Sequence, residues 1–110
     1  MAEQPKEVVT SKNYEIHLVE ILEYSIEAFG YIQARLYFNK ISQRVERLDK
    51  YYALYPECRH IRTKSQMYRN IVLDAHLIVY RIAKQRVEVL DIMHSASSVS
   101  KIRSTRKIHI

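Results

Sequence analysis

Three short runs in the second half constrain this 110-residue chain most. Tyr68–Leu73, Leu77–Ile82 and Val87–Met93 are rich in β-branched and aromatic residues, the composition of strands. Only Asp74-Ala75-His76 and Ala83-Lys84-Gln85-Arg86 separate them. Connections that short close hairpins but cannot carry a crossover, so the runs form an antiparallel meander. A sheet must bury a face, and the rest of the chain must supply the cover.

The clearest cover is helical. Phe38, Ile41, Val45, Leu48, Tyr52 and Tyr55 recur every three or four residues, with Lys40, Gln43, Arg44, Glu46, Arg47 and Lys50 between them. That is an amphipathic helix with one apolar stripe, and Pro56 ends it. The stripe spans under three heptads, so it reads as a core face rather than a coiled-coil seam. Leu22, Ile26, Phe29 and Ile32 mark an earlier helix, which Gly30 interrupts at a cost of about 1 kcal/mol relative to Ala. Tyr14-Glu-Ile16-His-Leu18 alternates apolar and polar as a strand does. Residues 1–13 are polar and read as a flexible tail. Residues 96–110 are basic and read as a tail or a marginal helix. The expected fold is α+β, in the order β-α-α-β-β-β. Residues 14–95 form the domain, with an antiparallel sheet carrying a two-helix hairpin on one face. The opposite sheet face is expected to be open or partly covered.

Charge narrows the function classes. Residues 1–55 carry 7 basic and 8 acidic side chains, whereas residues 56–110 carry 11 basic and 4 acidic. The excess points to an anionic partner, nucleic acid, acidic protein or a membrane surface, with a merely solvated basic face as the plain alternative. No apolar run approaches the ~20 residues of a membrane span. The N-terminal MAEQPKEVVTSKNYE has no apolar signal core. The lone Cys58 forms no internal disulfide and excludes a Cys₄ zinc site, which fits a reducing, cytoplasmic setting. The histidines lack metal-ligand spacing, and no phosphate-cradling glycine loop is present, so no metal or cofactor is expected.

The pieces Tyr14-x-Ile16-x-Leu18, Tyr31-Ile32, Tyr55-Pro56-x-x-Arg59, Tyr68-Arg69, Leu77-Ile-Val-Tyr80-Arg81-Ile82 and Val87-x-Val89-Leu90-x-Ile92-x-His94 follow one another in a specific order. In that order the chain resembles the RelE/ParE family of toxins from bacterial type II toxin–antitoxin systems, also known from plasmid stabilisation. The resemblance implies a growth-inhibiting toxin neutralised by a cognate antitoxin. RelE-like members cleave mRNA on the ribosome, and ParE-like members poison DNA gyrase. Positions where RelE-like nucleases carry arginine correspond here to Leu77 and Ser97. Their loss of charge favours a gyrase inhibitor, or a non-toxic domain, over an endoribonuclease. A non-toxic basic domain of the same fold is the third reading.

Candidate residues follow. For a nuclease they are His94, Arg81 and Arg59, for proton transfer and phosphate stabilisation. His94, on the side of Leu90 and Ile92 by alternation, otherwise bonds a backbone carbonyl at the sheet end. Arg81, beside Leu77 and Val79, needs either a phosphate or a carboxylate, and Asp91 on the next run is the expected partner. Arg59, Arg62, Lys64 and Arg69, with Lys101 and Arg103, are the candidates for target or antitoxin binding. Tyr52 and Tyr55 lie on the apolar stripe, so core packing is preferred over base stacking. Cys58 is not assigned a catalytic role.

Overall fold

The protein is described by a computed structural model covering residues 4–110. Ser11 sets the entrance to the fold. It joins strand β1 (Glu7–Thr10) to helix α1 (Lys12–Phe29). Its Oγ accepts from the Tyr14 amide at 2.9 Å, satisfying a free N–H of the first helical turn, and its hydroxyl donates to the Leu90 carbonyl. The strand expected at 14–18 is therefore the start of a helix. Tyr14 and Leu18 stand four residues apart, and Ile21 and Ser25 continue the same inward face. Alternation at 14, 16 and 18 contains an i, i+4 pair, and Ile16 between them is exposed. The true first strand lies at residues 7–10, inside the stretch expected to be a tail. Residues 1–3 of that stretch lie outside the described residues.

Gly30, at φ 87° and ψ 164°, joins α1 to α2 (Tyr31–Glu46). That backbone region is nearly closed to residues with a Cβ. The glycine is thus the corner between two antiparallel helices, not a blemish within one. The expected apolar stripe continues from α2 through a short helix, α3 (Leu48–Tyr51), burying Ile41, Val45, Leu48 and Tyr52. These side chains meet Ile71, Ile78, Tyr80, Val87 and Val89 of the sheet. The Tyr80 hydroxyl donates to the Tyr52 carbonyl, and burial raises its pKa.

The meander is antiparallel: β2 (Tyr68–Leu73), β3 (His76–Ile82) and β4 (Arg86–His94). The sheet order is β1-β4-β3-β2, with β1 parallel to β4, Glu7 facing Arg86 and Thr10 facing Val89. The order β-α-α-β-β-β is the one expected. A register shift places Val79 opposite Asp91 but Tyr80 opposite Val89, so β4 carries an extra residue. Leu90 and Ile92 consequently pack in different clusters, on opposite faces. Simple alternation therefore fails to place His94.

The second sheet face is covered, contrary to expectation. Cys58, Ile61, Leu77, Val79, Leu90, Met93 and Ile102 form a second buried cluster. The cover comes from the 57–64 loop and the C-terminal segment. That segment forms α4 (Val99–Ser104), then a 3₁₀ turn (Thr105–Lys107). Ser98 caps α4 by accepting from the Lys101 amide at 3.1 Å. Ile102 and Thr105 are buried, and Ile108 packs beside them. Residues 96–110 are thus largely helical cover rather than a tail.

Two substitutions measure these elements by urea denaturation. Ile102→Ala removes a side chain that is 3% exposed and is expected to cost about 2–4 kcal/mol. Gly30→Ala meets open space but keeps the φ of 87°, so about 1–3 kcal/mol of backbone strain is expected.

Candidate functional site

Helices α1 and α2, the β2–β3 turn and the end of β4 line a groove of about 800 Å³. Ile21, Tyr24, Phe29, Ile92 and Met93 form its apolar walls, and His17, Tyr37, His76, His94 and Lys101 reach into it. Tyr37 Oη lies 3.0 Å from the Leu73 carbonyl and 2.6 Å from His76 Nδ1. A phenol has one proton. Both contacts are met if Nδ1–H donates to Oη and Oη–H donates to Leu73. Burial lowers the His76 pKa and the neighbouring His94 adds to this against Asp74, so the ring is neutral at pH 7. Burial, with a smaller push from Asp74, raises the Tyr37 pKa to about 12.

His94 packs edge-on against His76, with ring centroids 6.1 Å apart. Its Nδ1 accepts from the Ala96 amide at 3.0 Å, so it caps a backbone N–H and not a carbonyl. His17 reaches Asp91 Oδ1 at 2.6 Å. Asp91 is buried and also accepts from the Ile92 amide at 2.8 Å. Asp91 is therefore the partner of His17 and not of Arg81.

Arg81 stands at the far end of β3, on the other face. The register sets it opposite Glu88, and its Nε donates to Glu88 Oε1 at 2.6 Å. Arg86 donates to Glu88 Oε2 at 2.9 Å. The second arm of Arg81 donates to the Ile108 carbonyl at 3.1 Å, and its guanidinium lies over the Tyr68 ring. Burial opposes both charges. The hydrogen bonds outweigh it, holding the Glu88 carboxyl below the usual range and the Arg81 guanidinium above its own. Arg81 thus fastens the C-terminal segment to the sheet.

The nuclease candidates are not brought together. His76, beside His94, and Arg81 are five residues apart on β3, about 16 Å. Arg59 is exposed in the loop after α3, and no hydrogen bond or ion pair holds it among the described residues. Arg69 is occupied by the carbonyls of Ala53, Tyr55 and Gln66. Arg62 lies 3.9 Å from Glu57, and Lys64 is exposed. Arg103 donates to the His60 carbonyl at 3.2 Å. Tyr52 and Tyr55 pack in or against the core, Tyr55 edge-on to Tyr80 at 6.3 Å. No group of three or more ligating side chains is placed to hold a metal among the described residues, and no described helix is long and apolar enough to cross a membrane.

The family profile described as the ParE toxin of the type II toxin–antitoxin system parDE matches residues 8–99. The chain belongs to the ParE toxin family. Among solved structures, a chromosomal ParDE toxin–antitoxin system from P. aeruginosa shares the fold with a TM-score of 0.69. The two are 14% identical, and the match covers 84% of this chain and 98% of that one. No curated protein matches in sequence. This ParE-family chain uses its helical hairpin and the end of its sheet to frame the groove. Sequence reasoning did not assign His17, Tyr37 and His76 to it. Tyr37 sits one position before the apolar stripe, which was the only signal for its inward turn.

The ion pair at the other end gives a pH test. Glu88→Gln is expected to destabilise by about 3 kcal/mol near neutral pH, because it leaves Arg81 half-compensated. A carboxyl with a depressed folded-state pKa stabilises fully above its unfolded value and loses this as pH falls through the folded value. The melting-temperature gap between parent and variant should therefore shrink as pH is lowered from about 6 toward 3.

Proposed function

We propose that this chain is held by a cognate antitoxin across its helical hairpin and, when released, arrests growth by binding DNA gyrase in the cytoplasm. The apolar surface of the hairpin carries the first part. Ile16, Val19, Tyr24 and Phe29 of α1 are exposed with Ile32 and Leu36 of α2, Tyr24 and Phe29 at 67% and 68%. Tyr24 and Phe29 also wall the groove, so part of this exposed apolar surface continues into the cleft. Several large apolar side chains left exposed on one pair of helices mark a protein-binding site. A partner helix with apolar residues at i, i+3 and i+4 fits such a surface.

The gyrase reading is supported by the dispersal of the nuclease candidates and by the occupation of Arg81 in a structural ion pair. An inhibitor acts by docking and needs no acid–base pair. Two assays test the reading. Added toxin is expected to block supercoiling by gyrase in vitro, with antitoxin restoring it. New ribosome-dependent mRNA 5′ ends in a translation reaction would instead establish the endonuclease. A protein inert in both assays and harmless in cells would be the non-toxic interaction domain. For the antitoxin surface, Phe29→Asp is expected to weaken the complex about tenfold or more, read by titration calorimetry.

A further inference from the structure

The 57–64 loop and the C-terminal helical segment lie side by side over the second sheet face. Arg103 Nε bonds the His60 carbonyl, and Cys58 and Ile61 share a buried cluster with Ile102 and Ile108. With Ile102 and Thr105 buried, Arg103, Arg106 and Lys107 are left exposed, at i, i+3 and i+4. The loop adds exposed Arg59, Arg62 and Lys64. Across residues 57–64 and 99–110 there are seven lysines and arginines against one carboxylate, Glu57. These cations do not stand on a loose tail, because Arg81 bonds the Arg106 and Ile108 carbonyls from below.

We propose that this face docks on the phosphate backbone of duplex DNA. A protein partner would need an apolar centre. The two segments expose only Val99 and Ile110 among their large apolar residues. Single strands are gripped by aromatic platforms, and neither segment contains Phe, Tyr or Trp. Duplex phosphates ask only for a fixed array of cations. Helix α1, with four glutamates and one lysine, turns the opposite charge to its own partner. Apolar and cationic surfaces thus sit on the two sides of one sheet, for two partners. The choice of DNA over RNA rests on the gyrase reading. The test contains no gyrase, so the two readings fail separately.

The test is fluorescence anisotropy of the full chain with two unrelated 20-base-pair DNA duplexes, a matched RNA duplex and polyglutamate. Both DNAs are expected to bind alike, with log K falling against log salt at a slope near −5, roughly 10³-fold between 50 and 200 mM. Arg59→Gln with Lys107→Gln is expected to flatten the slope by about 2 and weaken binding at least tenfold at 50 mM. Lys12→Gln with Arg35→Gln removes the same charge from the hairpin and is expected to change binding less than twofold. Circular dichroism melts confirm that both double variants are folded. Absence of DNA binding at 50 mM overturns the proposal. So do equal losses in the two variants, tighter binding of the RNA duplex, or tighter binding of polyglutamate.

Discussion

Strand β4 is covered on both sides, and most of the architecture answers to that. The helical hairpin lies on one face and the C-terminal segment on the other. Every residue from Val87 to Met93 is buried. A strand in that position has nowhere to hide a charge, yet it contains Glu88 and Asp91. Each carboxylate must be compensated locally, because an unpaired buried charge costs several kcal/mol. Glu88 faces the second side and takes two arginines. Asp91 sits at the bulge and takes His17 from α1. The two carboxylates therefore decide which elements can lie where.

This division also explains the arginine on β3. An Arg among apolar neighbours invites a ligand-binding interpretation. In this fold its planar fork spans Glu88 and the carbonyls of Arg106 and Ile108. A lysine has the charge and three donors, but they radiate from a single nitrogen and cannot span partners as a planar fork does. The same residue neutralises β4 and anchors the cover.

What the sequence made legible follows the strength of each periodic signal. The three strands and the stripe from Phe38 to Tyr55 stand where their patterns put them, because long repeats leave one face to bury. β1 has four residues and pairs with a strand far along the chain, so no local pattern announces it. The first turn of α1 was concealed by an alternation that helical spacing also satisfies. α4 offers one buried isoleucine in six residues, too little to distinguish it from a basic tail. The choice of Glu88 over Asp91 as the partner of Arg81 depends on the bulge, which is a property of two strands together. The groove was invisible for a similar reason: its histidines come from α1, β3 and β4, and only tertiary packing brings them into one cleft. By contrast, Arg59, Arg62 and Lys64 of the expected basic cluster are exposed, because surface charge needs no packing to be exposed, whereas Arg69 of the same cluster is taken up by backbone carbonyls.

The pairing of β1 with β4 has a consequence for how the chain is made. Ser11, at the end of β1, bonds Leu90 across 79 residues of sequence. Contacts that distant are slow to close, because the intervening loop must be ordered first. The central strand and the segment that covers it are synthesised after β1 and the hairpin. Until they emerge, the hairpin stands on an unfinished sheet with its stripe exposed. A nascent copy therefore cannot complete its sheet until β4 has emerged. That delay gives a partner protein an interval in which to meet the hairpin before the fold is complete.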